Sequence, residues 1–101
     1  MSAFPERRLS IITLGVNDRA AMTEFYETVI GFKNIGPEAM TMIDMGGFVL
    51  GLWEADKLAD DAGQAPKPAE GFRNIALAYN ARSIEEVDAI FGRLKAANVE
   101  I

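Results

Sequence analysis

The chain of 101 residues, 50% hydrophobic and 25% charged, has the composition of one ordinary globular domain, and it holds no apolar run of the ~20 residues that a membrane helix needs. A formal net charge of -5 without clustered Lys and Arg argues against nucleic acid, whose phosphates require such clusters. Neither Cys nor His is present, which excludes disulfides, thiolate nucleophiles and Cys-based metal sites and removes the usual general base at neutral pH.

The opening residues, Met1 to Arg8, show no signal or transit pattern, so the expected location is cytoplasmic. Leu9 to Val16 reads as a strand with Ile12, Leu14 and Val16 on one face and Ile11, Thr13 and Gly15 on the other. Asn17-Asp18 offers an N-cap to a helix whose apolar stripe is Met22, Phe25, Tyr26 and Val29, stopped by Gly31. Short strands are expected at Phe32 to Ile35, Met40 to Met45 and Phe48 to Trp53, the last two joined by a Gly46-Gly47 hairpin turn. From Glu54 to Glu70 the apolar alternation gives way to Asp, Gly and Pro, so this stretch reads as a linker. Within it Asp56 is placed to cap a short turn through Leu58 and Ala59. Phe72 to Tyr79 resumes a strand pattern. Ser83-Ile84-Glu85-Glu86 forms a capping box for a second helix with the stripe Val87, Ile90, Phe91 and Leu94, ended by Asn98.

Ile12-Thr13-Leu14-Gly15-Val16-Asn17 thus returns as Ile75-Ala76-Leu77-Ala78-Tyr79-Asn80, each followed by an amphipathic helix. The expected fold class is α+β, built from paired βαβββ modules: residues 1–54 form the first, 55–70 a linker and 71–101 a partial second within a single domain. After its second helix the chain reaches only Val99-Glu100-Ile101, so the second module reads as truncated at its C-terminus.

Leu14-x-Val16-x-Asp18, Phe25-Tyr26, Ile30-Gly31-Phe32 and the hairpin from Met45 to Trp53 together resemble the vicinal oxygen chelate superfamily. That superfamily comprises the glyoxalase I, bleomycin-resistance, fosfomycin-resistance and extradiol dioxygenase proteins. Asn74 to Tyr79 and the helix from Ser83 resemble its second module. The resemblance implies metal ligands on strands facing a cavity, at positions that here hold Ile11, Gly51 and Asn74, with a fourth beyond Ile101. Isoleucine and glycine carry no donor, and an amide is a weak ligand, so no metal or other cofactor is expected unless a longer chain supplies ligands.

If Ile12, Leu14, Val16, Phe48, Leu50 and Leu52, and in the second copy Ile75, Leu77 and Tyr79, face the core, then Ile11, Thr13, Gly15, Val49, Gly51, Trp53, Asn74, Ala76 and Ala78 face the concave side. Thr13, Gly51, Trp53 and Asn74 are therefore the candidate ligand-binding residues; none is assigned a catalytic role. Small residues leave room for a ligand, and equally they let modules pack closely. Trp53 suits stacking on an aromatic or cationic ligand, or covers the edge of the core. Met40, Met42 and Met45 read as gap-filling core rather than as a binding surface. Asp44, Glu54 and Asp56 read as structural or solvated, and Glu85, Glu86 and Asp88 as a helix-start charge cluster.

The expectation is a metal-independent small-molecule-binding protein that forms a homodimer, with no nucleic-acid or membrane partner. The alternatives are a lyase or dioxygenase whose metal and catalytic residues lie in a further C-terminal segment, and an oligomerising scaffold whose sheet edge a second copy completes.

Overall fold

The computed structural model of the chain describes residues 3–67 and 70–101. They form two compact units, Met1–Ala69 and Glu70–Ile101.

In the first unit, β1 (Ile11–Val16), β2 (Thr41–Asp44) and β3 (Val49–Glu54) make a sheet in the order β1-β3-β2. β3 pairs parallel with β1 and antiparallel with β2. The Phe32 to Ile35 strand is reduced to one antiparallel bridge, Asn34 to Ile43, on the outer edge of β2. Asn34 explains the brevity, because its Oδ1 accepts from the N–H groups of both Gly36 (3.0 Å) and Met42 (3.1 Å), turning the chain away after a single pairing. The order is that of a βαβββ module, as the sequence pattern predicts. At the hairpin, Met45 N–H donates to Phe48 O (2.9 Å), Gly46 takes φ 87 and Asp44 Oδ1 accepts from Gly46 N–H (2.9 Å). Positive φ at the first central residue is what a tight turn between twisted strands requires.

Helix α1 (Arg19–Glu24) starts where expected, with Asp18 Oδ1 accepting from Ala21 N–H (3.0 Å). It then widens into a π-helical segment, Phe25–Ile30, before Gly31 ends it at φ 89. Bonds closing i→i+5 put more residues in each turn, so Ile30, rather than the expected Val29, packs against the buried cluster. That cluster is Tyr26, Ile43, Leu50 and Leu52, with Leu14, Val16, Met22, Phe25 and Met45 among the residues packed on it. One face of the sheet is thereby committed to the helix.

The expected linker is not all loop. Ala55–Asp61 forms a helix, α2, directly after β3, with Asp56 in its first turn. Its apolar residues explain the difference: Ala55 and Leu58 pack over Gly15, where a Cβ would lie 3.2 Å from Ala55 Cα and 3.3 Å from Leu58 Cδ2. Tertiary packing supplies what a seven-residue helix lacks alone.

The second unit contains helix α3 (Ile84–Ala96), capped by Ser83 Oγ accepting from Glu86 N–H (3.1 Å). The Glu86 carboxylate reaches back to Arg82 N–H (3.2 Å) and receives the Tyr79 hydroxyl (3.2 Å), a variant of the expected box. Asn98, at φ 59, ends the helix as anticipated. Phe72 to Tyr79 is not a strand, contrary to its alternation. Gly71 and Asn74 take positive φ, and the described residues of this unit contain no other strand to provide a hydrogen-bonding ladder.

Candidate functional site

The face of the sheet opposite the core carries three of the four candidate residues. Parallel register sets Thr13 opposite Gly51 and Gly15 opposite Trp53, so Thr13, Gly51 and Trp53 share that face. Asn74 lies in the other unit, outside any strand and in the left-handed region at φ 60, a conformation Asn tolerates better than most residues. Its expected place on a strand is therefore corrected by the structure.

The methionines divide. Met45 packs against the core, as expected, whereas Met42 pairs with Gly51 and so belongs to the opposite face. Met40 lies there too: a Cβ on Gly51 would stand 2.8 Å from Met40 Cε and 3.0 Å from Thr13 Oγ1. Strand parity places residues 40 and 42 together, and alternation through Thr41 and Ile43 sends those two to the core instead. Reading all three methionines as core overlooked that parity.

Trp53 is half-buried at one end of this face and borders a cleft of about 350 Å³ with Asp56, Lys57, Asp60 and Asp61 of α2. Lys57 Nζ is held 3.4 Å from Glu54 Oε2.

A second polar group joins α1 to the sheet and escaped the sequence reading. Arg19 donates through Nε to Glu54 Oε1 (2.7 Å) and through Nη1 to Thr41 Oγ1 (3.3 Å), while Thr23 Oγ1 donates to Arg19 O (2.7 Å). A hydroxyl has one proton, so the 2.7 Å contact between Thr23 and Thr41 runs from Thr41 to Thr23. Thr41, 1% exposed, is satisfied as both donor and acceptor. The group borders an open groove of about 880 Å³ beside α1. The Glu54 carboxyl is held below its ordinary value, first by its own backbone N–H; burial opposes this as the next-largest effect, and the hydrogen bonds from Arg19 and Lys57, with the charge of Arg19, lower it further. A signal was present: Thr41 alternates in phase with Ile43, which marks it as an inward-facing polar residue in need of partners. Asp44 and Asp56 do serve local structure, accepting from Gly46 N–H and Lys57 N–H.

The residues at the positions where the resemblance implies metal ligands do not fit a metal. Ile11 is an exposed aliphatic residue, Gly51 has no side chain and Asn74 sits outside any strand. Among the described residues no group of three or more His, Cys, Asp or Glu side chains is arranged to hold a metal ion, and no helix is long and apolar enough to cross a membrane.

Comparison with known proteins places these features in a family. The sequence profile of the Glyoxalase/Bleomycin resistance protein/Dioxygenase superfamily matches residues 8–101. Among solved structures, a glyoxalase-related enzyme from Fulvimarina pelagi is 33% identical, with a TM-score of 0.77 over 91% of this chain and 66% of that one. A glyoxalase/bleomycin resistance protein/dioxygenase from Nocardioides is 25% identical, with a TM-score of 0.74 over 97% of this chain and 66% of that one. A lactoylglutathione lyase from Agrobacterium tumefaciens, 23% identical, shares the fold with a TM-score of 0.70 over 96% of this chain and 74% of that one. The chain thus spans 66% of the length of the first two relatives. No curated protein matches it. With its α+β architecture, its three-stranded sheet in the order β1-β3-β2 and the profile match over nearly its whole length, the chain belongs to the Glyoxalase/Bleomycin resistance protein/Dioxygenase superfamily.

Proposed function

We propose that this chain is a small-molecule-binding protein of its superfamily that works without a bound metal. The observation that supports the reading is the make-up of the face formed by β1 and β3: Thr13, Gly51 and Trp53 lie together, while Ile11 and Gly51 stand where the superfamily resemblance implies metal ligands. Such a face offers one hydroxyl for orientation, one indole for stacking and a glycine where a side chain would take up space. Cytoplasmic residence belongs to the same proposal. So does pairing with a second copy, motivated by the exposure of Phe72, Leu77 and Tyr79.

Trp53 is the only Trp, so its fluorescence reports on this face alone. Saturable change of that emission by aromatic small molecules, weakened in Thr13→Val, is the expected result. Stoichiometric uptake of nickel, zinc, manganese or iron at sub-micromolar affinity by the intact chain would end the metal-independent reading.

A further inference from the structure

The middle of the Thr13, Gly51 and Trp53 face is occupied by a side chain from elsewhere in the unit. Met40 Cε stands 2.8 Å from where a Gly51 Cβ would be, beside Thr13 Oγ1 at 3.0 Å. The contact belongs to the far end of a flexible side chain, not to backbone. Met40 itself lies outside the ladder, one residue before β2, where its N–H makes a long 3.3 Å bond to Pro37 O. It is half-buried, with Met42 two residues further along the same face and opposite Gly51.

We infer that Met40 is a movable plug, and that the ligand displacing it is an aromatic molecule bearing a hydroxyl or similar polar group. The inference rests on the small-molecule reading of this face. Three rotatable bonds let a methionine leave such a position by changing rotamer, without moving a strand. What it exposes is Gly51, where no side chain fills the space. An aromatic ring entering there meets the thioethers of Met40 and Met42, which favour ring edges, with the Thr13 hydroxyl within hydrogen-bonding reach of a polar substituent and the Trp53 indole further along the face. Met40 thereby sets the size of ring that the face admits.

The test uses phenol and 1-naphthol as small and large probes on the intact chain, with Trp53 emission for affinity and ¹³Cε-labelled methionine NMR for the plug. In the wild type, 1-naphthol shifts the Met40 methyl resonance and leaves that of Met45 in the core unmoved. Met40→Ala raises the preference for 1-naphthol over phenol by about tenfold, the scale on which a pocket discriminates a methylene or more. Met40→Leu, of similar volume, stays close to the wild-type preference. In Gly51→Ala the added methyl displaces that of Met40, whose resonance moves without any ligand, so the plug is testable even if Met40→Ala fails to fold. Probe binding reported by Trp53 with an unchanged preference and an unmoved Met40 methyl overturns the assignment of Met40 and leaves the small-molecule reading standing. Failure of both probes to bind the wild type and Met40→Ala overturns the two together.

Discussion

The Nε of Arg19 lies 2.7 Å from Oε1 of Glu54, tying the first residue of α1 to the last residue of β3 across 35 positions of sequence. Both side chains are about one-quarter exposed, so water screens the pair only in part. Because the Glu54 carboxyl is held below its usual range in the fold, the stability it contributes is present above the unfolded value and lost as pH falls through the folded one. Urea unfolding should therefore show wild type more stable than Glu54→Gln at pH 7. The difference should shrink once pH drops below the ordinary carboxylate value of about 4. An unchanged difference at low pH would mean that shape, not charge, carries the contribution.

Thr41 predicts a different kind of loss. Thr41→Val keeps the side-chain shape and removes one accepted and one donated hydrogen bond at a site only 1% exposed. Arg19 and Thr23 are half-buried and recover part of their bonding from water, which keeps the cost to about 1–2 kcal/mol. Thr41→Ser, which retains both bonds, costs less than Thr41→Val if the network matters more than the methyl. Equilibrium denaturation of the two variants gives the order directly.

Gly15 tests the packing of α2. A Cβ there meets backbone at Ala55 Cα, 3.2 Å away, so the helix rather than a side-chain end must give way. Gly15→Ala is expected to cost about 1 kcal/mol through this crowding. Its clearer sign is faster amide exchange confined to Ala55–Asp61, with β1 protection retained. Uniform loss of protection across the unit would show instead that α2 and the sheet open together.

Where local chemistry and tertiary context agreed, the sequence could be read. Asp18, Gly31, Ser83 and Asn98 each act at a helix end through one side chain or one backbone conformation, and each was visible without neighbours. The two faces of β1 and β3 were visible too, because alternation with a period of two needs only the identity of the residues. Phe72 to Tyr79 has the same alternation and no strand, since a strand is also a set of hydrogen bonds to a partner that alternation does not supply. Arg19 and Glu54 are far apart in sequence, so nothing local announced their pairing. At Met40 and Met42 a general preference of methionine for cores outweighed strand parity, which alone assigned them correctly to the face of Gly51.

Tyr26 supplies the alkaline counterpart of Glu54. It begins the change of stripe inside the π-helical segment, its ring meets Phe25 edge-on at 5.3 Å, and its carbonyl accepts from both Gly31 and Phe32 N–H groups. Burial pushes its phenol above the ordinary value of about 10, because the core favours the neutral form over the phenolate. The sign follows: this contribution to stability is fully present below the unfolded value and is lost as pH rises through the folded one. In Tyr79→Phe, which leaves Tyr26 as the only tyrosine, the phenolate absorbance should appear above pH 10 and coincide with loss of structure by circular dichroism. In Tyr26→Phe this source of alkaline sensitivity disappears. Ionisation of Tyr26 at its ordinary value with the fold intact would show that its ring is not held in the core at all.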